Sequence, residues 1–450
     1  MRDAQEGKGQ EKVRQWRGRG GRKRLQSAVD AAAYQKEWFR QVQTRAAAGE
    51  PCALVSADAP QEIFRTMDIP YVVNQWWSAV VSSRNGAPYY LDLLDRRGYH
   101  RELCAYCSLP FASTLDSDPE KAPWGGLPKI SLAVTEVACD SQLKIYGLWA
   151  REYNIPFYAF ERTVLAEPSA VDWWDKGRTE WEALYGTHRL DLMVEELKGL
   201  IRFLEVTTGK TFSETRFEKV MALVNEQEEV NARTRNLIAR TEPAPLTIVD
   251  SIPSVMIPQW HRGTEWAVNA ARSFYEEVKG KVERGEAACE KERIRLMWIG
   301  VGLWFNTSFY QYFQDKYGAV FVWSFYLALA ADGYARYGDD LLRTLAARYV
   351  GLTEGLHVPP WNTAWYVDQA KKNRIAAAVL LAPGAGCQSR DTYFTKKALE
   401  EAGVPVFEIG SDNVDSRGWD DEKIKRQLSE FIEMRVQPSL MDGNLSANEG

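Results

Sequence analysis

The sequence predicts an α/β fold: two similar parallel-sheet α/β domains with helices on both faces, plus an N-terminal helical arm. Three observations lead there. Short, wholly apolar runs alternate with stretches of helical period, as when strands feed crossover helices in a parallel sheet. One unit occurs twice. Strand 129–134, Cys139, a helix and Ile155-Pro156-Phe157-Tyr158 form one copy; strand 375–381, Cys387, a helix and Val404-Pro405-Val406-Phe407 form the other. The Cys-to-Pro separation is 17 residues in the first and 18 in the second. Finally, 450 residues, 45% apolar and 26% charged, give each of two domains enough chain to bury its own core.

Taken in order, residues 1–25 hold nine Lys/Arg against three Asp/Glu, a local charge of +6 within a chain of net charge −5. The stretch from Arg17 to Arg24 has glycines and no apolar period, so it reads as a flexible arm. Such an arm can touch an acidic partner, or simply remain a solvated tail packed on a neighbour. Helix 26–48 would bury Val29, Ala33, Trp38 and Val42. Strands are expected at 53–56, 71–73, 129–134 and 155–160, and helices at 60–67, 86–97, 141–152, 188–206 and 213–240. Two prolines within 241–245 mark the interdomain boundary. The second domain repeats the style. Its strands are expected at 294–299, 319–325, 375–381 and 404–409, and its helices at 264–284, 306–316, 338–349, 361–372, 391–402 and 421–434. The divisions are therefore a basic arm and helix (1–48), a first domain (49–245), a second (246–437) and a disordered tail (438–450).

Composition excludes several classes. The acidic remainder argues against a general nucleic-acid binder. No apolar run is long enough for a membrane span, and the N-terminus has no apolar core of a secretory signal. Six cysteines in 450 residues do not make a disulfide scaffold.

Taken singly, those cysteines carry the functional signal. In parallel sheets ligands bind outside the carboxyl ends of the strands. Cys139 and Cys387 both fall there, each before a helix whose N-terminal N–H groups favour a thiolate. Asp140 and Ser389 are natural caps of the two helices. Small buried cysteines can merely fill turns, but a matched pair in two repeats favours metal or cluster ligation. Leu103-Cys104-Ala105-Tyr106-Cys107-Ser108 holds a single Cys-x-x-Cys. A zinc ribbon needs a second pair and a thioredoxin site needs its own fold context, which leaves an iron–sulfur cluster with distant partners. Cys52 and Cys289 read as structural, and His100, His188, His261 and His357 lack zinc spacing. Gly209-Lys210-Thr211 lacks the earlier glycine of a phosphate loop and joins two helices. Gly384-Ala385-Gly386 makes a weak dinucleotide fingerprint and a better tight turn presenting Cys387.

At these residues the chain resembles the 2-hydroxyacyl-CoA dehydratases and ATP-dependent benzoyl-CoA reductases, which share one fold. The motifs are Leu103-Cys104-Ala105-Tyr106, Ala138-Cys139-Asp140-Ser141-Gln142-Leu143-Lys144, Gly386-Cys387-Gln388-Ser389 and Asp412-Asn413-Val414-Asp415-Ser416-Arg417. The resemblance implies that Cys104, Cys139 and Cys387 ligate a 4Fe–4S cluster; Cys107 departs from the usual pattern. Ser56, in the loop Val55-Ser56-Ala57-Asp58, resembles the family's first-strand loop near the substrate. Gln75 stands where the family's active-site acid often lies, which makes Ser56 and Gln75 the candidate catalytic residues. Trp76, Trp77 and Ser389 are candidate substrate contacts, and the tryptophan pair suits an aromatic ring. The resemblance also implies a homologous second subunit, a separate ATP-hydrolysing iron–sulfur activator, an acyl-CoA substrate and a cytoplasmic, oxygen-sensitive complex. Such an enzyme passes one electron of very low potential to a bound acyl-CoA. The radical anion then undergoes ring reduction or expels a hydroxyl group. Trp76, Trp77 and Gln75 favour an aryl-CoA reductase. A dehydratase subunit is the first alternative, and a subunit that relays electrons or docks the activator is the second.

Overall fold

The computed structural model describes residues 25–101, 103–137, 139–163, 172–382 and 392–440. The basic arm, the glycine turn at 384–386, Cys387, Ser389 and the last ten residues lie outside this range.

The chain opens with α1 (Gln26–Ala47). The first sheet follows, built from β1 (Ala53–Val55), β2 (Tyr71–Val73), β3 (Leu132–Glu136) and β4 (Phe157–Phe160). Helices α2 (Gln61–Thr66), α3 (Asn74–Ser83), α4 (Ala87–Arg96), α5 (Ala105–Thr114) and α6 (Asp140–Tyr153) connect these strands. A helical stretch comes next: α7 (Trp173–Lys176), α8 (Trp181–Tyr185), α9 (Thr187–Thr208), α10 (Glu214–Arg240), α11 (Ile248–Trp260) and α12 (Glu265–Glu283). The second sheet contains β5 (Ile294–Ile299), β6 (Ala319–Ser324), β7 (Ala377–Leu381) and β8 (Val406–Ile409). Around it lie α13 (Phe309–Tyr317), α14 (Phe325–Asp332), α15 (Leu341–His357), α16 (Trp361–Lys372), α17 (Thr392–Glu401) and α18 (Asp421–Phe431).

Both sheets are parallel. Their orders, β2-β1-β3-β4 and β6-β5-β7-β8, are the same topology used twice, so the repeat seen in the sequence is a repeat of the fold. The central strands β1, β3, β5 and β7 are buried at every position, because helices cover both faces. In this order the connections leave in opposite directions from β1 and β3. A crevice therefore opens at their carboxyl ends, and likewise between β5 and β7.

Some expectations shift. Strand β3 begins at Leu132, where pairing with Ala53 starts, and runs on to Glu136, which places a carboxylate at the sheet's carboxyl edge. Helix α1 buries Ala28, Ala31, Gln35, Phe39 and Val42, while Val29 and Ala33 face solvent. Phe39 outweighs them: the stripe that includes it packs on α11 and α12. Cys139 occupies the N-cap of α6, and Asp140 is its first helical residue. Residues 438–440 continue a helical segment. Gly209 ends α9 in a left-handed turn at φ 68°, the structural role that its sequence context favours over phosphate binding. Among the described residues no helix is long and apolar enough to cross a membrane.

Candidate active site

The crevice of the first sheet is built from four segments. Strand β1 ends at Ser56, β3 ends at Thr135 and Glu136, β2 runs directly into α3 at Asn74 and Gln75, and α6 brings Gln142 in its first turn. All these side chains are buried, so each polar group needs a partner. Ser56 Oγ donates to Glu136 Oε2. Gln142 Nε2 donates to Glu136 Oε1 at 2.9 Å and to Thr135 Oγ1 at 2.7 Å. Gln75 Nε2 donates to Gln142 Oε1 at 2.8 Å, and the Ala57 backbone N–H donates to Gln75 Oε1 at 2.8 Å. One network thus ties the ends of both central strands to two helices. Burial pushes the Glu136 carboxyl above its ordinary pKa. Arg162 pulls it back, Asp58 raises it further, and the bonds from Ser56 and Gln142 favour the ionised form.

Cys104 and Cys139 are half-buried and hold the N-cap positions of α5 and α6. Both sulfurs therefore sit at the positive ends of helix dipoles. Helix α5 is fastened to α3 through a consequence of Pro110. That residue has no N–H to offer the carbonyl of Tyr106 four positions earlier. Ser78 Oγ takes the place of the missing donor, 2.6 Å from the Tyr106 oxygen. Asn74 Nδ2 donates to the Cys107 carbonyl at 3.2 Å. The helix that carries Gln75 is thereby locked to the helix that begins at Cys104. Cys107 is buried one turn into α5. Among the described residues no three His, Cys, Asp or Glu side chains form a metal-binding group, and Cys387 lies outside them.

A cavity of about 260 Å³ opens beside this network, between α3, α11 and the loop after β5. Gln75, Trp76, Tyr106, Ile252, Met256 and Trp304 are among its walls. The Trp76 indole N–H is buried without a hydrogen-bond acceptor among the described residues. Burial pushes the Tyr106 phenol well above its ordinary pKa, with the neighbouring Cys107 and Cys104 adding to the shift and Trp304 opposing it. Trp77 is not part of the wall. It stacks on Phe39 at 5.2 Å between ring centroids and donates its indole N–H to Ser113 Oγ at 3.0 Å.

Of the residues singled out by sequence, Ser56, Gln75 and Trp76 therefore meet at one crevice. Cys104 and Cys139 cap the two helices bound to it, Trp77 packs in the core, and Cys387 and Ser389 lie outside the described residues. Sequence reasoning missed Glu136 and Trp304, and gave no role to Gln142 and Tyr106 although both lie in the motifs that carry the resemblance. For Glu136 a signal exists: it is the one charge on an otherwise uncharged run, Leu132-Ala133-Val134-Thr135-Glu136.

Comparison with known proteins identifies a family. Residues 56–435 match the profile of the 2-hydroxyglutaryl-CoA dehydratase D-component family. The (R)-2-hydroxyisocaproyl-CoA dehydratase alpha subunit of Clostridioides difficile is 21% identical over 389 residues, 86% of this chain and 90% of that protein. The (R)-phenyllactyl-CoA dehydratase alpha subunit of Clostridium sporogenes is 22% identical over 390 residues, again 86% and 90%. The lactoyl-CoA dehydratase subunit alpha of Anaerotignum propionicum is 22% identical over 439 residues, 90% of this chain and 93% of that protein. With the profile covering most of its length, the chain belongs to the 2-hydroxyglutaryl-CoA dehydratase D-component family.

Proposed function

We propose that this chain is the alpha-type subunit of a 2-hydroxyacyl-CoA dehydratase acting on an acyl group with a sizeable apolar tail. The family match and three dehydratase relatives favour this lyase reading over the aryl-CoA reductase expected from the tryptophan pair and Gln75. The observation that carries it is the juxtaposition at one crevice. A polar network ends in Gln75, and Gln75 forms part of an apolar cavity of about 260 Å³.

The reaction removes the 2-hydroxyl and a hydrogen from carbon 3, leaving a 2-enoyl thioester and water. The donor set suits an iron–sulfur cluster: thiols at two helix N-caps, half-buried and on helices fastened to the crevice. Cys104, Cys139 and Cys387 would hold a 4Fe–4S cluster, which supplies one-electron chemistry toward the thioester when bound. The chain's own residues prepare the site. Trp76, Met256 and Trp304 exclude water from the acyl tail. Gln75 and Ser56 face the polar end of the crevice, and Glu136 and Gln142 hold both in place. A homologous second subunit is supported by the alpha-subunit names of the relatives. An ATP-hydrolysing iron–sulfur activator and a cytoplasmic location complete the proposal.

The test is anaerobic purification with the partner subunit, followed by iron and sulfide analysis and turnover with reductant, ATP and activator. Wild-type protein is expected to carry a cluster, and Cys104→Ala and Cys139→Ala to lose it. (R)-2-Hydroxyisocaproyl-CoA is expected to exceed (R)-lactoyl-CoA in kcat/KM by roughly 50-fold, from about 0.8 kcal/mol for each of three extra buried carbons. Reduction of benzoyl-CoA without dehydration of either substrate would restore the reductase reading. Iron content unchanged by both substitutions would remove the cluster assignment.

A further inference from the structure

The amide of Gln75 has two chemically opposite ends, so its orientation decides what the cavity meets. Neighbours fix the sense of an amide. At one end of the network stands Glu136, whose Oε1 accepts from Gln142 Nε2 at 2.9 Å. The second hydrogen of that nitrogen goes to Thr135 Oγ1 at 2.7 Å. Both amino hydrogens of Gln142 are thus taken, and its oxygen is left to face Gln75. An oxygen can only accept, so the Gln75 nitrogen must lie against it, at 2.8 Å. At the far end the Ala57 N–H can only donate, and it meets Gln75 Oε1 at 2.8 Å. Gln75 is therefore pinned from both ends by groups that have no alternative role. One of its N–H bonds is used by Gln142. The other has no acceptor among the described residues, and Gln75 forms part of the cavity wall.

We propose that Glu136 is a positioning residue: acting through Gln142, it holds Gln75 with an N–H offered to the cavity, where that N–H binds the carbonyl oxygen of an acyl thioester. The inference rests on the dehydratase reading and assigns two residues to it, Gln75 as a carbonyl-binding donor and Glu136 as the source of its polarity. The group at position 136 must present an accepting oxygen to Gln142, as Glu136 Oε1 does. A glutamine there could donate to Gln142 as well as accept; a turned Gln142 would then present its amino group to the Gln75 nitrogen, and only the Ala57 N–H would still hold the Gln75 amide in place. Gln75, Thr135, Glu136 and Gln142 are all buried, so no water replaces the lost hydrogen bond.

Binding measures this without turnover. The complex of this chain with its partner, purified without oxygen, is titrated calorimetrically with two probes. One is 4-methylpentanoyl-CoA; the other is its thioether analogue, in which a methylene replaces the carbonyl. Wild type is expected to prefer the thioester by about tenfold, the worth of one well-made hydrogen bond. Gln75→Ala is expected to abolish the preference, read as the ratio of thioester to thioether affinity. Glu136→Gln is expected to reduce the preference to less than about threefold, with no further effect in the Gln75→Ala background. Gln142→Met cuts the relay at similar volume and is expected to match Glu136→Gln, which keeps the test decisive should one variant fold poorly. Full thioester preference in Glu136→Gln or in Gln142→Met overturns the relay. Loss of thioether affinity in equal measure also overturns it, because that marks a purely structural role. If wild type binds neither probe, the dehydratase reading falls, and the relay with it.

Discussion

Cys52 lies in the core beside the first sheet, and burial pushes its thiol up to about 12. At neutral pH almost none of it is thiolate, so it is neither a nucleophile nor a ready metal ligand. Cys104 and Cys139 are half-buried at helix N-caps instead. In metal-free native protein, iodoacetamide is expected to modify Cys104 and Cys139 and to spare Cys52 until denaturant is added. Mass mapping checks this, and comparable labelling of all three would contradict the burial argument. Sequence distinguished Cys139 by its place after a strand and before a helix, and Cys104 by its Cys-x-x-Cys spacing and the family resemblance. Ser56 and Gln75 were singled out by the family resemblance alone. Glu136 and Gln142 were not, since their role is a set of bonds across four segments that only folding brings together. Trp76 and Trp77 show the limit most plainly. Adjacent in sequence, they point to different places, one into the cavity wall and one to Phe39 and Ser113.

Among elements, the strands and the amphipathic helices followed their periodicity closely, whereas α3, α5, α11 and α14 went unread. All four are buried around most of their circumference, so they lack the polar stripe that reveals a helix. Pro110 in α5, and Pro253 and Pro258 in α11, argue further against helix locally, and tertiary packing overrides them. Three of these helices surround the candidate site, so its walls were the least legible part of the fold. Helix α1 shows another tertiary device. Its N-cap residue, Leu25, cannot cap, and Glu277 of α12 accepts from the Gln26 and Ser27 N–H groups at 2.7 and 2.9 Å. A carboxylate at a helix N-terminus is worth about 1 kcal/mol. Glu277→Ala is therefore expected to lower amide-exchange protection in the first turns of α1 by roughly fivefold, from that energy. Both sheets should stay unchanged. Equal loss of protection throughout the protein would mean that α1 and the sheets open as one unit.

At the scale of the whole molecule, a buried charge cluster joins segments far apart in sequence. Glu62 of α2 accepts at one oxygen from Arg262 Nε, 2.6 Å away, and from Arg348 Nη1 of α15, 2.5 Å away. Arg262 also donates to the Ala59 carbonyl at 3.2 Å, and Arg348 to the Tyr334 carbonyl at 2.7 Å. Burial pushes the Glu62 carboxyl up, but Arg262 and Arg348 outweigh it and hold its pKa below the ordinary value. Glu228 of α10 lies nearby with the opposite balance. Burial pushes it up to about 8, against the pull of Asn231, Gln259 and the same two arginines. The two groups act on stability with opposite signs. Glu62, lowered in the folded state, contributes stability that is present above its unfolded pKa and is lost as pH falls through the folded one. Glu228, raised, keeps a proton that the unfolded chain releases, so stability declines as pH rises from its ordinary 4.5 to about 8. The slope of that decline is about 1.4 kcal/mol per pH unit at most. Glu228→Gln mimics the protonated acid. It is expected to unfold near the wild-type urea midpoint at pH 5 and clearly above it at pH 8. Glu62→Gln leaves two guanidinium groups without their buried anion and is expected to cost about 3–5 kcal/mol at pH 7. Urea midpoints at pH 5, 6.5 and 8 test both. A Glu228→Gln curve parallel to wild type across that range would show that Glu228 is ionised in the fold, and the cluster would then hold two anions for its two cations.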